Sequence, residues 1–198
     1  MKDHYASHNW NSGETFLFQG QFLMAMPGLA DPNFFRTVTC ICEHVPEGAV
    51  GLVVNQLHSF LSAKDIFEEL NMEYIPETAS LPIYLGGPVH IGEVFILHGP
   101  PFEWEGCLMI TRSLGMSNTR DILQAIALGT GPESFIIALG CAGWGPGQLE
   151  HEIRTNAWLT CPISEDIIFD TSVEARWEEG MRKMGIDPGF LSDAAGHA

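Results

Sequence analysis

The amino-acid sequence predicts an α+β fold in a single domain. With 198 residues, of which 45% are hydrophobic and 17% charged, the chain can bury a sizeable core in one unit. Strand-like segments occur in runs and do not alternate strictly with helices, which favours α+β over a doubly wound sheet. The 12 Pro and 21 Gly are scattered, so no stretch is typical of a disordered linker. We therefore expect one domain over residues 20–198, preceded by a loose polar arm over residues 1–19.

The first strands enclose a turn rich in Pro and Gly. Apolar segments predict strands over 21–26, 36–43 and 49–55. In the second of these, Val38, Cys40 and Cys42 share one face, because side chains alternate along a strand. The stretch PGLADPNF between the first two strands predicts a turn. In this turn, Asp31 and Asn33 are expected to bond neighbouring backbone N–H groups.

Polar capping patterns mark the starts of helices. Ser62 and Asp65 have the spacing of a capping box, and Thr171 and Glu174 have the same spacing near the carboxyl end. A middle helix is predicted to open at 118–121 and to end at Gly129. The side chains that this middle helix is predicted to bury are Ile122, Leu123, Ile126 and Leu128.

The second part of the chain alternates between apolar segments and glycine-rich turns. Further strands are predicted over 83–85, 93–98, 107–111, 134–140 and 166–169. The segment 134–140 is almost continuously apolar, which is typical of a strand buried on both faces. The segments 93–98 and 107–111 are predicted to form a hairpin or meander. A glycine-rich turn then opens a helix over 148–156.

The charge balance excludes some classes of partner. The chain has 9 Lys and Arg against 25 Asp and Glu, a formal net charge of −16. Because such a chain repels phosphate, nucleic acid and anionic membranes are disfavoured as partners. No stretch reaches the roughly 18 apolar residues of a spanning helix, and the polar start of the chain is not typical of a signal peptide. The five cysteines include no Cys-x-x-Cys pair, so we expect a cytoplasmic protein without a metal or other cofactor.

Polar residues around the first strands form the main candidate site. Arg36 near a strand end could bind a carboxylate or phosphate through two hydrogen bonds; the alternative is that it pairs with Asp31 or Glu43 to lock the loop. The pair Glu43-His44 follows the predicted strand, and a carboxylate beside an imidazole can tune a general base or bind a metal. The alternative is an ordinary ion pair at a strand end. The ligand-binding candidates of this group are Asp31, Arg36, Glu43, His44 and Asn55, and Arg120 and Gln148 join them from the rest of the chain.

A second candidate lies at the turn over 143–147, before Gln148. Free N–H groups and the helix dipole at such a turn favour an anion, although packing under Trp144 explains the glycines as well. Cys141 beside the turn is the thiol whose setting could lower its pKa. Arg120, at the start of the middle helix, is a further cation for the candidate site.

The known catalytic signatures are incomplete in this sequence. It contains no Gly-x-Ser-x-Gly elbow, no phosphate-binding Gly-x-x-x-x-Gly-Lys run and no dinucleotide fingerprint. The sequence Glu150-His151-Glu152 lacks the His-Glu-x-x-His spacing of a zinc site. Consecutive residues of a helix also point about 100° apart, so these three side chains cannot share one face.

Several motifs, taken in order, resemble one bacterial family. They are FLMAMPGLADPNF, EH, GAVGLVVN, LGGPV, TRDILQAIA, GWGPGQLE and a final GHA. Together they are similar to the AlgH family, also called YqgE, over nearly the whole chain from Gly20 to Ala198. The resemblance implies an α+β fold with a bent, mostly antiparallel, partly barrel-like sheet flanked by helices. It implies a cytosolic protein whose biochemical activity is not established, in a family named for regulation of alginate synthesis.

The family pattern falls on particular positions of this chain. In the first block these are Met26, Pro27, Asp31, Pro32, Phe34, Glu43, His44, Gly48, Gly51 and Asn55. In the rest of the chain they are Gly86, Gly87, Pro88, His98, Arg120, Asp121, Trp144, Gly147, Gln148, Glu150, Asn156 and Trp158. The chain departs from the pattern after Asn55, where relatives often continue Arg-Pro and this sequence reads Gln56-Leu57. The departure weakens an anionic-ligand interpretation.

These observations leave two functional hypotheses. The first is a non-enzymatic regulatory or ligand-binding protein that acts on a small molecule or a protein partner. The alternative is a small-molecule enzyme, a hydrolase or transferase, that uses Glu43 and His44 with Arg36 or Arg120. A direct DNA-binding regulator is disfavoured, because the chain has neither a basic recognition helix nor a helix-turn-helix pattern.

Overall fold

The structure is a computed structural model that describes residues 18–29 and 31–190. Within these ranges the strands are β1 (Gln21–Ala25), β2 (Val38–Val45), β3 (Gly48–Val53), β4 (Leu57–Ser62), β5 (Pro82–Leu85), β6 (Val89–His98), β7 (Leu108–Met109), β8 (Gly115–Ser117), β9 (Phe135–Trp144) and β10 (Trp158–Pro162). The helices are α1 (Ala63–Glu69), α2 (Arg120–Ala127), α3 (Gln148–Arg154) and α4 (Arg176–Lys183). Residues 1–17 of the predicted arm lie outside the described ranges.

The strands in the described ranges belong to one sheet that does not close. Its main order is β10-β1-β2-β3-β9-β6-β8-β7, and β4 is joined to it through β5. The β5–β9 pair is parallel, and the other pairs are antiparallel. The predicted α+β class, with a bent and mostly antiparallel sheet, is therefore confirmed.

Strand β9 spans both halves of the sheet and changes its neighbours at Gly140. Residues 135–139 pair with β5 and β6, Cys141 still pairs with Val89 of β6, and residues 142–144 pair with β3. Gly140 has φ of 71°, and a Cβ there would lie 2.5 Å from the carbonyl oxygen of Gly87. The alternation of buried side chains also shifts by one residue at this point. Ile136 and Ala138 face the same core as Cys141, so an even-numbered series is replaced by an odd-numbered one.

One face of the bent sheet builds the largest core. Both halves contribute to it, with Phe22 and Met24 from β1 and Phe95 and Leu97 from β6. Helix α4 adds Trp177 and Met181, which are both buried. Val38, Cys40 and Cys42 of β2 point into this core, which confirms their predicted common face. The shared core explains why the two halves of the sheet form one unit.

The other face of the sheet is covered by the remaining helices in two separate clusters. Helix α3 covers Leu23, Ile41 and Ala49, and its own Leu149 is buried there. Helices α1 and α2 cover the second half of the sheet. Their buried side chains are Ala63, Phe67, Ile122, Leu123, Ile126 and Ala127, which pack with Ile83, Ile96 and Ile137 of the sheet. Because both faces of β9 are covered, its near-continuous apolar sequence is explained.

Two of the predicted helix boundaries follow from local hydrogen bonds. Asp65 Oδ2 accepts hydrogen bonds from the backbone N–H and the hydroxyl of Ser62, each at 2.8 Å, at the start of α1. Gly129 has φ of 73° and follows α2, as expected for a glycine that ends a helix. Leu128, predicted to be buried, is instead 41% exposed, because it caps the helix where the chain leaves the core.

The predicted boundaries of the second strand are wrong in a way that affects the site. The strand was expected over 36–43, but β2 runs from Val38 to Val45. Its pairing with β3 continues to Val45 opposite Gly48, so the hairpin turn comes only at 46–47. Glu43 and His44 therefore lie inside the strand and do not follow it.

The region between β6 and α2 also differs from the prediction. Only Leu108–Met109 of the predicted 107–111 strand forms β7, and β8 at Gly115–Ser117 was not predicted. Strand β8 lies between β6 and β7, so the predicted direct hairpin does not occur. The two pairings depend on which segments meet in space, and a strand of two or three residues carries no measurable alternation.

The predicted strand over 166–169 is a π-helical turn, Asp166–Asp170. Ile167 and Ile168 are both buried on the large core, which successive residues of a strand could not achieve on one face. The Thr171 hydroxyl donates backward to the Asp166 carbonyl at 3.0 Å and does not cap the last helix. Helix α4 begins only at Arg176, so the predicted capping box of Thr171 and Glu174 is wrong.

Candidate functional site

Asn55 holds the loop that leads into β2. Its side-chain oxygen accepts a hydrogen bond from the Val38 N–H at 2.7 Å, and its amide nitrogen donates to the Arg36 carbonyl at 2.8 Å. Arg36 has φ of 51°, a left-handed conformation that is uncommon for residues other than glycine. Its guanidinium lies 5.2 Å from the centroid of the Trp177 ring. The structure thus brings the candidates Arg36 and Asn55 together through the Arg36 backbone.

Asp31 starts a short turn on the same loop. Its Oδ1 accepts hydrogen bonds from the backbone N–H and the side-chain amide of Asn33, each at 2.9 Å. The turn places Phe34 against two indoles, with ring centroids 6.3 Å from Trp144 and 5.4 Å from Trp158. The predicted bond between Asp31 and a neighbouring N–H is therefore present, and its local effect is to orient Phe34.

Glu152 of α3 joins the helix to the ends of β9 and β10. Its Oε2 accepts the indole N–H groups of Trp144 at 2.9 Å and of Trp158 at 2.8 Å. Its Oε1 accepts the side-chain amide of Gln148 at 2.9 Å. The side-chain oxygen of Gln148 in turn accepts a hydrogen bond from the Gly145 N–H at 3.0 Å. This N–H of the glycine-rich turn is therefore already bonded within the protein, which leaves it less available for an anion.

His44 lies under α3 and is buried. Its Nε2 is 3.1 Å from Oε1 of Glu150, and Phe18 stacks on the imidazole with ring centroids 5.4 Å apart. The second carboxylate oxygen of Glu150 is also buried and has no hydrogen-bond partner among the described residues. Glu43 is the neighbouring residue of β2, and consecutive strand residues face opposite sides. The carboxylate beside the imidazole is thus supplied by the helix.

Arg120 lies apart from the other candidates, on the helical layer of the second half of the sheet. Its guanidinium donates to the carbonyls of Leu70 at 3.1 Å and Asn71 at 3.4 Å, just after α1. A cation at this place satisfies carbonyls that the end of a helix leaves free. The structure therefore groups Asp31, Arg36 and Asn55 around one loop, and His44 and Gln148 at α3. Ligand binding by any of the seven candidates stays a prediction.

The expectation that Cys141 has a lowered pKa is wrong. Cys141 lies inside β9 and is buried, and burial raises its pKa to about 12. Burial likewise raises the pKa of Cys42 well above the ordinary thiol value. Desolvation disfavours the thiolate in both cases. The sequence pattern missed this because β9 continues to Trp144, so Cys141 lies inside the strand and the turn begins only at Gly145.

An exposed apolar surface lies where no site was predicted. Strand β4 is at an edge of the sheet and pairs only with β5 among the described strands. Phe60 on this strand is 90% exposed. The Nδ1 atom of His58 accepts the backbone N–H groups of Phe60 at 3.2 Å and Leu61 at 3.1 Å, so the strand bulges between its two paired positions. The segment LHSFLS carries an irregular apolar pattern, which was the available signal.

Helix α1 and Leu61, the residue that follows Phe60 on β4, line a groove of about 530 Å³. Three of the side chains that line it are acidic, and the complete lining is Leu61, Asp65, Ile66, Glu68 and Glu69. Hydrogen bonds within the Ser62 cap lower the pKa of Asp65, so this carboxyl stays ionised well into the acid range. The β4–α1 surface, defined as Phe60 together with this groove, therefore combines exposed apolar and negatively charged groups.

The described part of the chain contains neither a cluster of metal ligands nor a membrane-spanning helix. Its His, Cys, Asp and Glu side chains include no group of three or more placed to hold a metal ion. Within the same ranges, each helix is too short or too polar to cross a bilayer.

The fold is a bent sheet with α3 held against it by Glu152 and with α1 and α2 on its second half. It defines the class of α+β domain that the order of the sequence motifs suggested. The AlgH-like family model matches residues 22–189, and the chain belongs to this family. It is 53% identical to a UPF0301 protein of Desulforapulum autotrophicum over 182 residues, or 92% of this chain and 96% of the relative. It is 44% identical to a UPF0301 protein of Thioalkalivibrio sulfidiphilus, over 91% of this chain and 97% of the relative.

Solved structures agree with this assignment. The solution structure of the AlgH protein from Pseudomonas aeruginosa is similar, with a TM-score of 0.78 and 40% identity, over 95% of this chain and 100% of that one. A crystal structure of a Corynebacterium diphtheriae protein has the same fold, with a TM-score of 0.67 and 20% identity, over 87% of this chain and 90% of that one. The family is one of uncharacterised function, so membership alone assigns no reaction or ligand.

Proposed function

We propose that this chain is a non-enzymatic binding protein that docks an extended, basic and apolar segment of a protein partner on its β4–α1 surface. The observation that carries the proposal is Phe60, a large apolar side chain that is 90% exposed on an edge strand. Exposed aromatic side chains at edges and grooves are common anchors of protein–protein contacts.

The local geometry supports presentation of Phe60. The imidazole of His58 occupies the N–H groups of Phe60 and Leu61 and so stabilises the bulge that turns the phenyl ring outward. Bulges on edge strands re-aim side chains and interrupt regular strand pairing. Phe60 therefore contacts the partner through its side chain, which serves as the anchor of the complex.

Charge decides the chemistry of the partner. The groove that begins at Leu61 is lined by Asp65, Glu68 and Glu69, and the whole chain has a formal charge of −16. Lys64 lies nearby, but it pairs with Glu68 at 3.7 Å. An occupant with Lys or Arg next to apolar side chains would match both the acidic groups and the apolar Leu61 and Ile66.

A peptide-binding measurement tests the proposal. The probe is a short fluorescein-labelled peptide that alternates Lys with Leu and Val, and its counterpart carries Glu in place of Lys. Fluorescence anisotropy is expected to show binding of the Lys peptide alone, weakened by added salt because exposed charges are screened. Phe60→Ser is expected to weaken binding about tenfold, as is the double change Glu68→Lys with Glu69→Lys, since a tenfold change in Kd corresponds to about 1.4 kcal/mol.

Ile91→Ser is the matched control, because Ile91 is 73% exposed on β6, on the opposite side of β9 from the β4–β5 pair. This variant should bind the Lys peptide as the wild type does. Equal affinity of the wild type and Phe60→Ser would overturn the proposal. Sedimentation of the unliganded protein tests the other occupant: a dimer that Phe60→Ser dissociates would assign the surface to a second copy of the chain.

A further inference from the structure

A buried imidazole, a thiol and a hydroxyl meet where β6 and β8 pair. His98 at the end of β6 is fully buried, and its Nδ1 lies 2.7 Å from the Gly99 carbonyl oxygen. A carbonyl can only accept, so Nδ1 carries the proton in the neutral ring, and Nε2 accepts a hydrogen bond from the Ser117 hydroxyl. Nε2 lies 3.0 Å from Ser117 Oγ and 3.8 Å from Cys107 Sγ. The imidazole is thus fixed with its basic atom toward the Ser117 hydroxyl, and the thiol lies next to this contact.

Cys107 differs from the other four cysteines in its exposure. It is half-buried and follows the exposed residues Glu105 and Gly106 in the chain. Cys40, Cys42, Cys141 and Cys161 are buried in the sheet. A reagent from solution can therefore reach Cys107 without opening the core.

We propose that Cys107 is a site of reversible covalent modification by low-molecular-weight disulfides, with His98 as the base that takes the thiol proton. In this step, His98 Nε2 accepts the proton of Cys107 as the sulfur attacks one sulfur of the disulfide. The new bond joins Cys107 to one half of the disulfide, and the old sulfur–sulfur bond breaks. The leaving thiolate takes the proton back from His98, so one disulfide and one thiol are exchanged for another pair with no net oxidation.

The pKa shifts of Cys107 and His98 explain why the thiol stays protonated until His98 takes its proton. Burial raises the pKa of Cys107, and the hydrogen bond with Ser117 opposes this shift. Burial lowers the pKa of His98, and the hydrogen bond to Gly99 opposes that shift. The neutral thiol and neutral imidazole are therefore the resting pair at neutral pH. When Nε2 takes the thiol proton it no longer accepts the Ser117 hydroxyl, which is then able to donate to the forming thiolate.

The surroundings of the imidazole contain few other titrating groups. Phe102 covers the ring, with centroids 5.8 Å apart. The charged residues on the adjoining segments are Glu103, Glu105, Arg112, Asp121 and Glu133. All of these are exposed except Asp121, whose carboxylate is bound by the Glu105 N–H and the Thr119 hydroxyl. The pH dependence expected of the cluster is therefore that of His98 and Cys107.

The test measures how fast the full chain forms a mixed disulfide with 2-hydroxyethyl disulfide, an uncharged probe, at a series of pH values. Intact mass and peptide mapping follow the reaction at each cysteine. The native protein is expected to react at Cys107, and Cys107→Ser is expected to abolish this reaction. The rate constant should rise as His98 loses its proton, below its ordinary pKa, and stay level until the thiol itself ionises in the alkaline range.

Two variants test whether His98 acts as the base or only packs beside Cys107. His98→Gln should lose the level part of the profile and fall at least about tenfold at neutral pH, yet match the wild type in alkali, where the thiolate needs no base. Ser117→Ala keeps the imidazole and should keep the level part with a smaller rate. The proposal is overturned if the native wild type lacks the level part, or if another cysteine reacts first. The pH profile of the wild type tests the proposal by itself, so the test remains valid even if His98→Gln does not fold.

Discussion

Oε2 of Glu152 accepts the indole N–H of Trp158 at 2.8 Å. The same oxygen accepts the indole of Trp144, so one carboxylate fixes α3 to the ends of two strands. Hydrogen bonds to a charged acceptor contribute about 1.5–3 kcal/mol each, and a buried donor left unpaired costs a further penalty. The contact therefore makes this small helix an integral part of the sheet.

We predict that Glu152→Ala lowers the free energy of unfolding by about 2–4 kcal/mol, because both indole N–H groups lose their acceptor. Glu152→Gln should cost less, since its carbonyl oxygen can still accept. Urea unfolding followed by tryptophan fluorescence measures both values. Glu69→Gln, an exposed acid on α1, is the control and should change stability by less than about 0.5 kcal/mol. Equal stability of Glu152→Ala and this control would contradict the assigned role.

Asn55 is expected to be as important for the loop before β2. Asn55→Ala removes the acceptor of the Val38 N–H and the donor to the Arg36 carbonyl, so we expect a loss of about 1–3 kcal/mol. Gln56→Ala is the control, because the Gln56 side chain makes a long contact of 3.5 Å to the Asn33 carbonyl and the backbone bond from the Leu85 N–H to Gln56 is kept. Denaturant midpoints of the two variants give the comparison. If the two neighbours cost the same, the loop is held by other contacts.

Gly140 provides a prediction about the bend of the sheet. We expect Gly140→Ala to prevent stable folding, because its Cβ would lie 2.5 Å from the Gly87 carbonyl oxygen and 2.9 Å from that of Val89, at a φ of 71°. Gly92→Ala is the matched control on the neighbouring strand, where no atom lies within 4 Å of the added Cβ. Circular dichroism and thermal unfolding distinguish them. A cooperative transition near that of the wild type in Gly140→Ala would show that β9 can bend without glycine.

Much of this fold could be predicted from the sequence because its signals are local. The alternation of Val38, Cys40 and Cys42 gave a strand with a defined inner face, and the spacing of Ser62 and Asp65 gave a helix start that two hydrogen bonds confirm. Both signals act within a few residues, so tertiary packing has little opportunity to override them.

The predictions from the sequence are wrong or incomplete where contacts between distant segments determine the local structure. Ile167 and Ile168 are apolar in a strand-like context, but the core requires both on one side and a helical turn provides this. The Glu152 clamp joins residues whose proximity depends on the ends of β9 and β10. The meeting of His98, Cys107 and Ser117 depends on β8, a strand of three residues without a sequence signal. Sequence reasoning therefore found the polar residues of α3 and the first loop but not the contacts that define their roles.

Asp121 gives a prediction about pH. Burial raises the pKa of this carboxyl, but hydrogen bonds from the Thr119 side chain and from the N–H groups of Glu105 and Ile122 outweigh burial, so the pKa lies below its ordinary value. A carboxyl whose pKa is lower in the folded state stabilises the protein above the pKa of the unfolded chain. This contribution is lost as the pH falls through the folded-state pKa.

We therefore expect Asp121→Asn to be less stable than the wild type at neutral pH, and the difference to shrink as the pH falls below about 4. Urea unfolding at a series of pH values, with both proteins measured side by side, gives this difference directly. Asp170→Asn, which alters an exposed carboxyl, should change stability by less than about 0.5 kcal/mol at neutral pH. A difference between Asp121→Asn and the wild type that stays constant from neutral to acid pH would mean that the Asp121 charge does not stabilise the start of α2. The contribution of the Asp121 side chain would then come from uncharged hydrogen bonds, such as that from the Glu105 N–H, which Asn can partly keep.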